Sequence, residues 1–199
     1  SHGVAGEEFG GGGDSEWRWY LDPIDGTANY VRGVPVWATL IALRQGDEPV
    51  CAVVSAPALH QRWWAERGEG AHSRVVGRIQ VSGVAALEDA YLSTTDARDL
   101  DGLGLGDAYR ALNARCHDTR AFGDFWSHML VAEGVIDIAV EPVAVAWDLA
   151  APQLIVEEAG GRFTDFSGRR RIDSGSALST NALLHDAALQ HLSGARPGS

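Results

Sequence analysis

The amino-acid sequence predicts an α/β fold. Segments rich in β-branched and aromatic residues alternate with segments of helical apolar spacing along the 199 residues, and no internal repeat interrupts them. Apolar residues make up 45% of the chain and charged residues 22%, which is ordinary for a globular protein with its own core. The pattern changes near residue 83, so we expect a strand-rich half at 1–83 and an α/β half at 84–199.

The first half is expected to consist mainly of strands joined by short turns. Its glycine run at 10–13 indicates a flexible loop, and Gly26 precedes a short helix at 27–31. Polar segments at 45–49 and 68–70 predict hairpin turns. The strands are predicted at residues 17–21, 34–43, 50–56, 62–66 and 71–76.

The second half alternates helices with strands. Asp124 is well placed to cap its second helix, Gly134 ends that helix, and Gly160 and Gly161 end the third. Asn181 is expected to cap the last helix. The strands are predicted at residues 90–94, 135–140, 162–166 and 177–180. The helices are predicted at residues 107–116, 124–133, 147–159 and after 181, with Leu183, Leu184, Ala187, Ala188 and Leu192 facing inward.

The composition excludes several kinds of chemistry and partner. The chain contains no lysine, which rules out a Schiff base, a Walker-type phosphate loop and a general-base lysine. The net charge of −11 would repel a nucleic-acid backbone or an anionic membrane, so we expect neither as a partner.

The cellular compartment is indicated by what the sequence lacks. No stretch approaches the roughly 18 uninterrupted apolar residues of a membrane span, and no basic-then-apolar order marks a signal peptide. Cys51 and Cys116 lack the spacing of a disulfide framework or a metal site. These features predict a soluble, cytoplasmic protein. The only methionine is Met129, so we expect that N-terminal sequence is missing.

The segment at 22–27 combines groups that bind a metal ion with groups that bind a phosphate. Asp22 and Asp25 straddle a turn after the first predicted strand, and Gly26 and Thr27 open the short helix. Carboxylate oxygens suit hard divalent cations, and free backbone N–H groups at a helix N-terminus suit phosphate oxygens. The same residues also suit an ordinary turn, in which Asp and Gly serve the backbone alone.

Two further acidic segments extend this pattern. Asp148 stands at the start of the helix predicted at 147–159, and the pair Glu7 and Glu8 precedes the first predicted strand. Taken alone, Asp148 would be a helix cap and the glutamates a solvated surface pair. Together with Asp22 and Asp25, these acids could hold two or three metal ions, which would offset the repulsion among the carboxylates.

The motifs, in this order, resemble those of the inositol monophosphatase family over essentially the whole chain. The matching segments are residues 7–10, 22–27 and 147–161, and residues 29–37, 55–59 and 123–125 favour the histidinol-phosphate phosphatase branch. The resemblance implies a layered α-β-α-β-α sandwich, lithium-sensitive and Mg²⁺-dependent phosphomonoesterase activity, and a homodimer.

The resemblance also implies roles for individual residues. The implied metal ligands are Glu7 (Glu8 being the less favoured of the pair), Asp22, Ile24 through its carbonyl, Asp25 and Asp148. They would hold two or three Mg²⁺ ions, with Mn²⁺ as an alternative. The implied catalytic residues are Thr27, Asp25 and Glu7, with the Thr27 hydroxyl orienting the attacking water. The implied substrate-binding residues are Asp25, Gly26, Thr27, Ala28, Arg120, Asp124, Glu141 and Asp148, with Gly26 and Thr27 offering backbone N–H groups to the phosphate.

Two acidic residues bear on which phosphate ester is bound. Glu141 matches a glutamate that contacts ring hydroxyls in the inositol-specific enzymes. Asp124 stands where those enzymes have small residues, and it would attract the ammonium and imidazole groups of L-histidinol phosphate. The alternatives are that Asp124 only caps a helix and that Arg120 only forms an ion pair. The arginine run at 169–171 is interpreted as a solvated loop, so a bisphosphate is not expected as the substrate.

The sequence therefore predicts hydrolysis of L-histidinol phosphate, a step of histidine biosynthesis. The nearest alternative is an inositol-1-monophosphatase or a similar polyol-phosphate phosphatase. A third hypothesis is an inactive metal-binding fragment, because the family carries a helix pair before Glu7 whose Asp would hydrogen-bond the residue matching Thr27. Without that segment, reduced activity or dependence on a partner chain is expected. An ordinary domain whose acids are turns and caps would require three motif matches to be coincidence.

Overall fold

Two β-sheets, with helices between them and against the second, form the part of the chain that the structure describes. This structure is a computed structural model, and it describes residues 2–8, 10–12 and 15–193. The predicted α/β class is confirmed. No helix in these described ranges is both long enough and apolar enough to cross a membrane.

The strands before residue 80 form an eight-stranded sheet in the order β2-β1-β3-β4-β5-β6-β7-β8. Its first and third strands pair in parallel, and the other neighbours are antiparallel. The strands are β1 (Gly3–Gly6), β2 (Gly10–Gly12), β3 (Trp17–Asp25), β4 (Ala38–Gln45), β5 (Glu48–Ala56), β6 (Gln61–Glu66), β7 (Gly70–Ser73) and β8 (Gly77–Ile79).

The strands after residue 90 form a five-stranded mixed sheet in the order β10-β9-β11-β13-β12. Strands β10, β9 and β11 run parallel, and β13 is antiparallel to both of its neighbours. The strands are β9 (Tyr91–Thr94), β10 (Asp118–Arg120), β11 (Ile138–Glu141), β12 (Arg162–Thr164) and β13 (Ala177–Thr180).

The helices occupy two layers apart from the short α1, which has no buried residue and lies at the end of β3. Helices α4 and α5 share one apolar cluster with inward residues of both sheets, so they form the layer between the sheets. Helices α2, α3 and α6 share a second cluster with the other face of the five-stranded sheet. The helices are α1 (Thr27–Arg32), α2 (Ala97–Gly102), α3 (Gly106–Asn113), α4 (Asp124–Ala132), α5 (Ala146–Glu158) and α6 (His185–Ser193).

Side-chain alternation explains how the layers pack. Leu40, Val54 and Trp63 lie opposite one another on neighbouring strands, and each is at most 1% exposed beneath the middle helices. In β11, Ile138 and Val140 enter the outer cluster while Ala139 enters the middle one. Successive residues of the strand therefore pack into different cores, because side chains of a strand alternate between its two faces.

Some predicted boundaries were wrong near the glycine run and the first strand. Residues 10–12 are not a loop but pair with β1, because backbone hydrogen bonding needs no side chain; Gly13 and Asp14 lie outside the described residues. Strand β3 continues past Leu21 to Asp25, with a register shift between Asp22 and Asp25. Such an irregularity accommodates Pro23, which has no N–H to donate.

Two predicted helix starts were also wrong. Gly123 occupies the cap position of α4 and Asp124 is its first helical residue, with a side chain that makes no capping hydrogen bond. The α6 helix begins only at His185, so Leu183 precedes it and is 61% exposed. Asn181 accepts the Leu184 N–H at 3.1 Å and so stabilises the turn before the helix.

His185 is a buried histidine that the fold keeps neutral. Its Nδ1 lies 3.0 Å from the Thr180 hydroxyl and its Nε2 lies 2.9 Å from the Thr164 hydroxyl. Because Thr164 donates its own proton to the Asp165 carbonyl, Nε2 is the donor and Nδ1 the acceptor. Burial lowers the pKa of His185 to about 4.

This depressed pKa predicts a pH-dependent stability. In the unfolded chain this imidazole takes up a proton near pH 6.5, whereas in the folded chain it does so only near pH 4. The stability that neutral His185 contributes is therefore fully present above pH 6.5 and declines as the pH falls below it. Between pH 7 and pH 5, wild type should lose about 1–2 kcal/mol more unfolding free energy than His185→Gln. Urea denaturation at both pH values measures this difference. His117→Gln, at an exposed position, should behave like wild type; equal losses in wild type and His185→Gln would refute the assignment.

Candidate active site

The end of β3 and the turn that follows it present two aspartates on a fixed backbone. The Ile24 N–H donates to Asp22 Oδ1 at 2.9 Å, and the Thr27 hydroxyl donates to the Ile24 carbonyl at 2.8 Å. Gly26 stands before α1 with φ +78°, and a Cβ there would lie 2.8 Å from the Val36 carbonyl oxygen. Only glycine fits this position, both for its backbone conformation and for its contact.

Asp148, near the start of α5, joins the two aspartates of this turn. One carboxylate oxygen each of Asp22, Asp25 and Asp148 lies within 4.8 Å of the other two. Asp25 accepts the Phe125 N–H at 2.8 Å, and Asp148 accepts the Val145 N–H at 3.0 Å. The sequence prediction that these three acids come together is therefore confirmed by geometry.

The electrostatics of the three acids fit a divalent cation. Burial, and then the charges of Asp148 and Glu7, raise the pKa of Asp22 to about 7. Burial is also the main cause of the raised pKa values of Asp25 and Asp148. Without a cation the group is stabilised by holding protons, and Asp22 and Asp148 share a hydrogen bond. A divalent cation would offset the repulsion among the ionised carboxylates, and an all-oxygen donor set suits Mg²⁺ or Mn²⁺.

Glu7 lines the same cavity as the three aspartates. It follows β1 and is exposed, as is Glu8. The cavity measures about 370 Å³. Its lining consists of Glu7, Asp22, Ile24, Asp25, Gly26, Thr27, Val145, Trp147 and Asp148. The predicted metal ligands therefore border one space, although Glu7 lies outside the group of three whose oxygens are mutually close. Phe9 lies outside the described residues.

A second cavity of about 160 Å³ shares Asp25 and Asp148 with the first. Asp99, Asp124 and Glu141 add three more acids to its lining. Burial raises the pKa of Glu141 to about 8, and its carboxyl group accepts the Thr95 hydroxyl. The histidine in the lining is His128, whose pKa burial lowers to about 4, so it brings no positive charge at neutral pH. This cavity would favour a cationic group.

Asp124 faces this cavity rather than capping α4. Its Oδ2 accepts the Asn29 amide at 3.1 Å, and its own N–H donates to Thr95 Oγ1 at 3.0 Å. The residue has φ 49°, a conformation that Asp and Asn tolerate better than most residues. Burial, and then the charge of Asp148, raises its pKa. The backbone geometry therefore serves to aim the carboxylate.

Two predicted substrate residues are placed apart from both cavities. Arg120 is exposed and donates to Asp118 at 2.5 Å and to the Thr119 carbonyl at 2.8 Å. Ala28 is exposed on α1. Neither residue belongs to the lining of the two cavities.

Sequence reasoning missed three polar residues of the second cavity, Thr95, Asp99 and His128. Thr95 directly follows β9, and Glu141 ends the parallel neighbour β11. Carboxyl ends of adjacent parallel strands in α/β sheets commonly border a ligand site. Pairing those two strands in advance would have singled out Thr95. His128 carries no comparable signal, since it lies inside an apolar helix.

Comparison with known proteins agrees with this geometry. Residues 1–195 match the inositol monophosphatase family. A histidinol-phosphatase from Mycobacterium tuberculosis is 51% identical over 195 residues, covering 96% of this chain and 75% of the relative. A histidinol-phosphatase from Streptomyces coelicolor is 47% identical over 95% of this chain and 74% of the relative.

A solved inositol monophosphatase structure shares the fold. The protein from Anabaena (Nostoc) sp. superposes with a TM-score of 0.89 at 28% identity, covering 99% of this chain and 80% of that structure. Because the superposition covers 99% of this chain, it includes both sheets and the helices between them. The chain therefore belongs to the inositol monophosphatase family and is a phosphoric monoester hydrolase.

Proposed function

We propose that the protein is a Mg²⁺-dependent histidinol-phosphatase, which converts L-histidinol phosphate to L-histidinol and phosphate in histidine biosynthesis. The observation that carries this proposal is the acid-lined second cavity, which shares Asp25 and Asp148 with the group of three aspartates. L-histidinol phosphate bears an ammonium and a titratable imidazole beside its phosphate, so it needs a cation site next to a phosphate site. Identities of 51% and 47% to two histidinol-phosphatases support the same substrate.

The metal site would be formed by oxygen ligands alone. Asp22, Asp25 and Asp148 supply its centre, with Glu7 and the Ile24 carbonyl at the border of the same cavity. Bound Mg²⁺ would activate a water molecule and neutralise charge on the phosphate and the leaving oxygen. The chain's own contribution is to hold the carboxylates in place through the N–H groups of Phe125 and Val145.

The phosphate would lie against the start of α1. The first N–H groups of a helix have no partner within it, so Gly26 and Thr27 would present donors beside the metal ligands, and Ala28, outside the cavity lining, would offer the next one. The Thr27 hydroxyl already donates to the Ile24 carbonyl at 2.8 Å. Its oxygen can therefore accept a hydrogen bond from the attacking water and so orient that molecule.

The leaving group would occupy the second cavity. Asp124 and Glu141 are placed to receive its cationic groups, and Asp99 adds charge at the rim. We propose different roles for the two halves of the chain. Residues 1–83 would supply most of the groups that bind the metal and the phosphate, and residues 84–199 would supply the groups that bind the leaving group. The substrate-binding role of Arg120 stays a prediction from the family resemblance, because Arg120 lines neither cavity. A homodimer remains a proposal that follows from the family.

Inositol monophosphate is the second candidate substrate. The buried Glu141 favours it, since this glutamate could accept hydrogen bonds from ring hydroxyls. The fold match to an inositol monophosphatase supports the same chemistry. Asp124 favours the first candidate, because its half-buried carboxylate can form a charge-assisted hydrogen bond with an ammonium or imidazolium group, whereas ring hydroxyls offer it only neutral donors.

The first prediction concerns activity. The chain should release phosphate from L-histidinol phosphate in Mg²⁺, at least tenfold faster than from inositol 1-phosphate at equal subsaturating concentrations, and EDTA should abolish release. A colorimetric phosphate assay measures both rates. Preference for inositol 1-phosphate would establish the second candidate. Absence of release from either ester, with Mg²⁺ binding retained, would establish the inactive metal-binding fragment.

The second prediction concerns the metal ligands. Asp148→Asn should melt a few degrees higher than wild type in EDTA at pH 8, because about 1 kcal/mol of carboxylate repulsion is removed. The same variant should lose the stabilisation that Mg²⁺ gives to wild type, as well as phosphate release. Thermal melts with EDTA and with Mg²⁺ test both effects. Asp89→Asn, an exposed loss of equal charge, should follow wild type; a variant that keeps its Mg²⁺-induced shift would contradict the ligand role.

The third prediction separates the two substrates. Asp124→Asn keeps the size, the tolerance of positive φ and an acceptor for Asn29, but loses the charge. We expect kcat/KM for L-histidinol phosphate to fall about tenfold or more, corresponding to about 1.4 kcal/mol of lost interaction. For inositol 1-phosphate the change should stay within about threefold. Steady-state kinetics on both esters decide the matter, and an equal loss on both would make Asp124 structural.

A further inference from the structure

A third polar cavity lies at the far end of β4 from the aspartates. It measures about 200 Å³ and is lined by Tyr20, Arg44, Asp47, Arg170, Arg171, Ile172 and Asp173. Ala38, at the start of β4, pairs with Asp25, and Arg44 follows six residues later, about 20 Å along the strand. No residue of this lining borders either of the two cavities described above.

Arg44 is the unusual member of this cavity. It is only 4% exposed, and it donates to Gln153 Oε1 at 2.6 Å and to the Asp47 carbonyl. Both acceptors are neutral. None of the ion pairs within the described ranges includes Arg44. A buried guanidinium without a carboxylate at ion-pair distance is costly, and a bound anion would offset that cost.

Arg170 and Arg171 border the cavity from the loop at 169–171, which is largely exposed as predicted but whose side chains also form ion pairs. Arg170 donates to both carboxylate oxygens of Glu157 at 2.8 Å and reaches Glu48 at 3.2 Å. Arg171 donates through Nε to Asp173 at 2.7 Å. These pairs hold both side chains at the border of the cavity that Arg44 also lines.

The lining of the cavity contains more arginines than carboxylates although the protein is acidic, while Glu157 and Glu48 pair with Arg170 from outside the lining. Three arginines face two aspartates, while the chain as a whole carries −11. Burial lowers the pKa of Arg44, and the charge of Arg170 adds to this effect. The mutual repulsion of these two arginines would be relieved by an anion placed between them.

We propose that this cavity binds a small tetrahedral oxyanion of the phosphate class, with Arg44 as its buried anchor. Each Nη of Arg44 has a second hydrogen beyond its bond to Gln153 or to the Asp47 carbonyl, and guanidinium N–H groups suit phosphate oxygens. Arg171 supplies its terminal nitrogens from the rim, since its pair with Asp173 uses Nε. The volume of about 200 Å³ admits a phosphate ion with its water but not a nucleotide.

The test is a calorimetric titration of inorganic phosphate into the chain in EDTA at pH 7.5. Without a divalent cation, the aspartates of the active site repel phosphate, so heat from that site is suppressed. Wild type should bind one phosphate per chain in the millimolar range. Arg44→Gln and Arg171→Gln should each weaken this binding at least tenfold, and acetate should bind wild type at least tenfold more weakly than phosphate.

Controls keep the outcome decisive. Arg74→Gln removes an exposed arginine elsewhere and should bind phosphate like wild type, as should Asp25→Asn, which disables the active site. If Arg44→Gln fails to fold, the half-exposed Arg171 provides the deciding variant. Absence of phosphate binding by wild type, unchanged binding in Arg171→Gln, or loss of binding in Asp25→Asn would each overturn the proposal. None of these outcomes depends on which ester the active site hydrolyses.

Discussion

The packing of three carboxylates against one another is the constraint on which the rest of the structure depends. Asp22, Asp25 and Asp148 repel each other in a setting with little water to screen them. Each accepts a hydrogen bond from one backbone N–H, and each of those N–H groups belongs to a different segment of the chain. The bonds from Ile24 and Val145 fix two of the carboxylates against their own turns, and the bond from Phe125 ties Asp25 to a distant segment, while other oxygens can face a cation.

The middle helical layer makes this arrangement rigid. Residues 149–156 of α5 are buried on every side, because one sheet covers each face of the helix. Helix α4 lies beside it under the same sheets. Both helices begin at the active site, so α5 delivers Asp148 while α4 delivers Asp124 and the N–H that holds Asp25. Their N-terminal dipoles also favour the negative charges gathered there.

The sequence was most informative where one local pattern determined the position of a group. The turn at 22–27 and the helix that starts near Asp148 could be predicted because spacing and glycine placement are local signals. Asp124 was predicted as a cap, since nothing local shows that Gly123 takes the cap position. Thr95 and His128 reach the second cavity only through strand pairing and helix packing, which a single sequence does not specify. Arg44 lies just beyond the strand predicted at 34–43, and no local pattern marks it, because its partner Gln153 lies on a helix distant in sequence.

The overall charge gives the substrate question a physical basis. A chain of net charge −11 repels a phosphate monoester at long range, and seven of its acidic residues line the two cavities of the active site. Cations at the three aspartates can offset the repulsion for the phosphate, but Asp124 and Glu141 lie beyond them with raised pKa values, so their negative charge is favoured only beside a cationic group. A leaving group with an ammonium and an imidazole turns that remaining charge into attraction, whereas a polyol gains only hydrogen bonds. The acids beyond the metal site are therefore useful for a cationic leaving group and a burden for a neutral one.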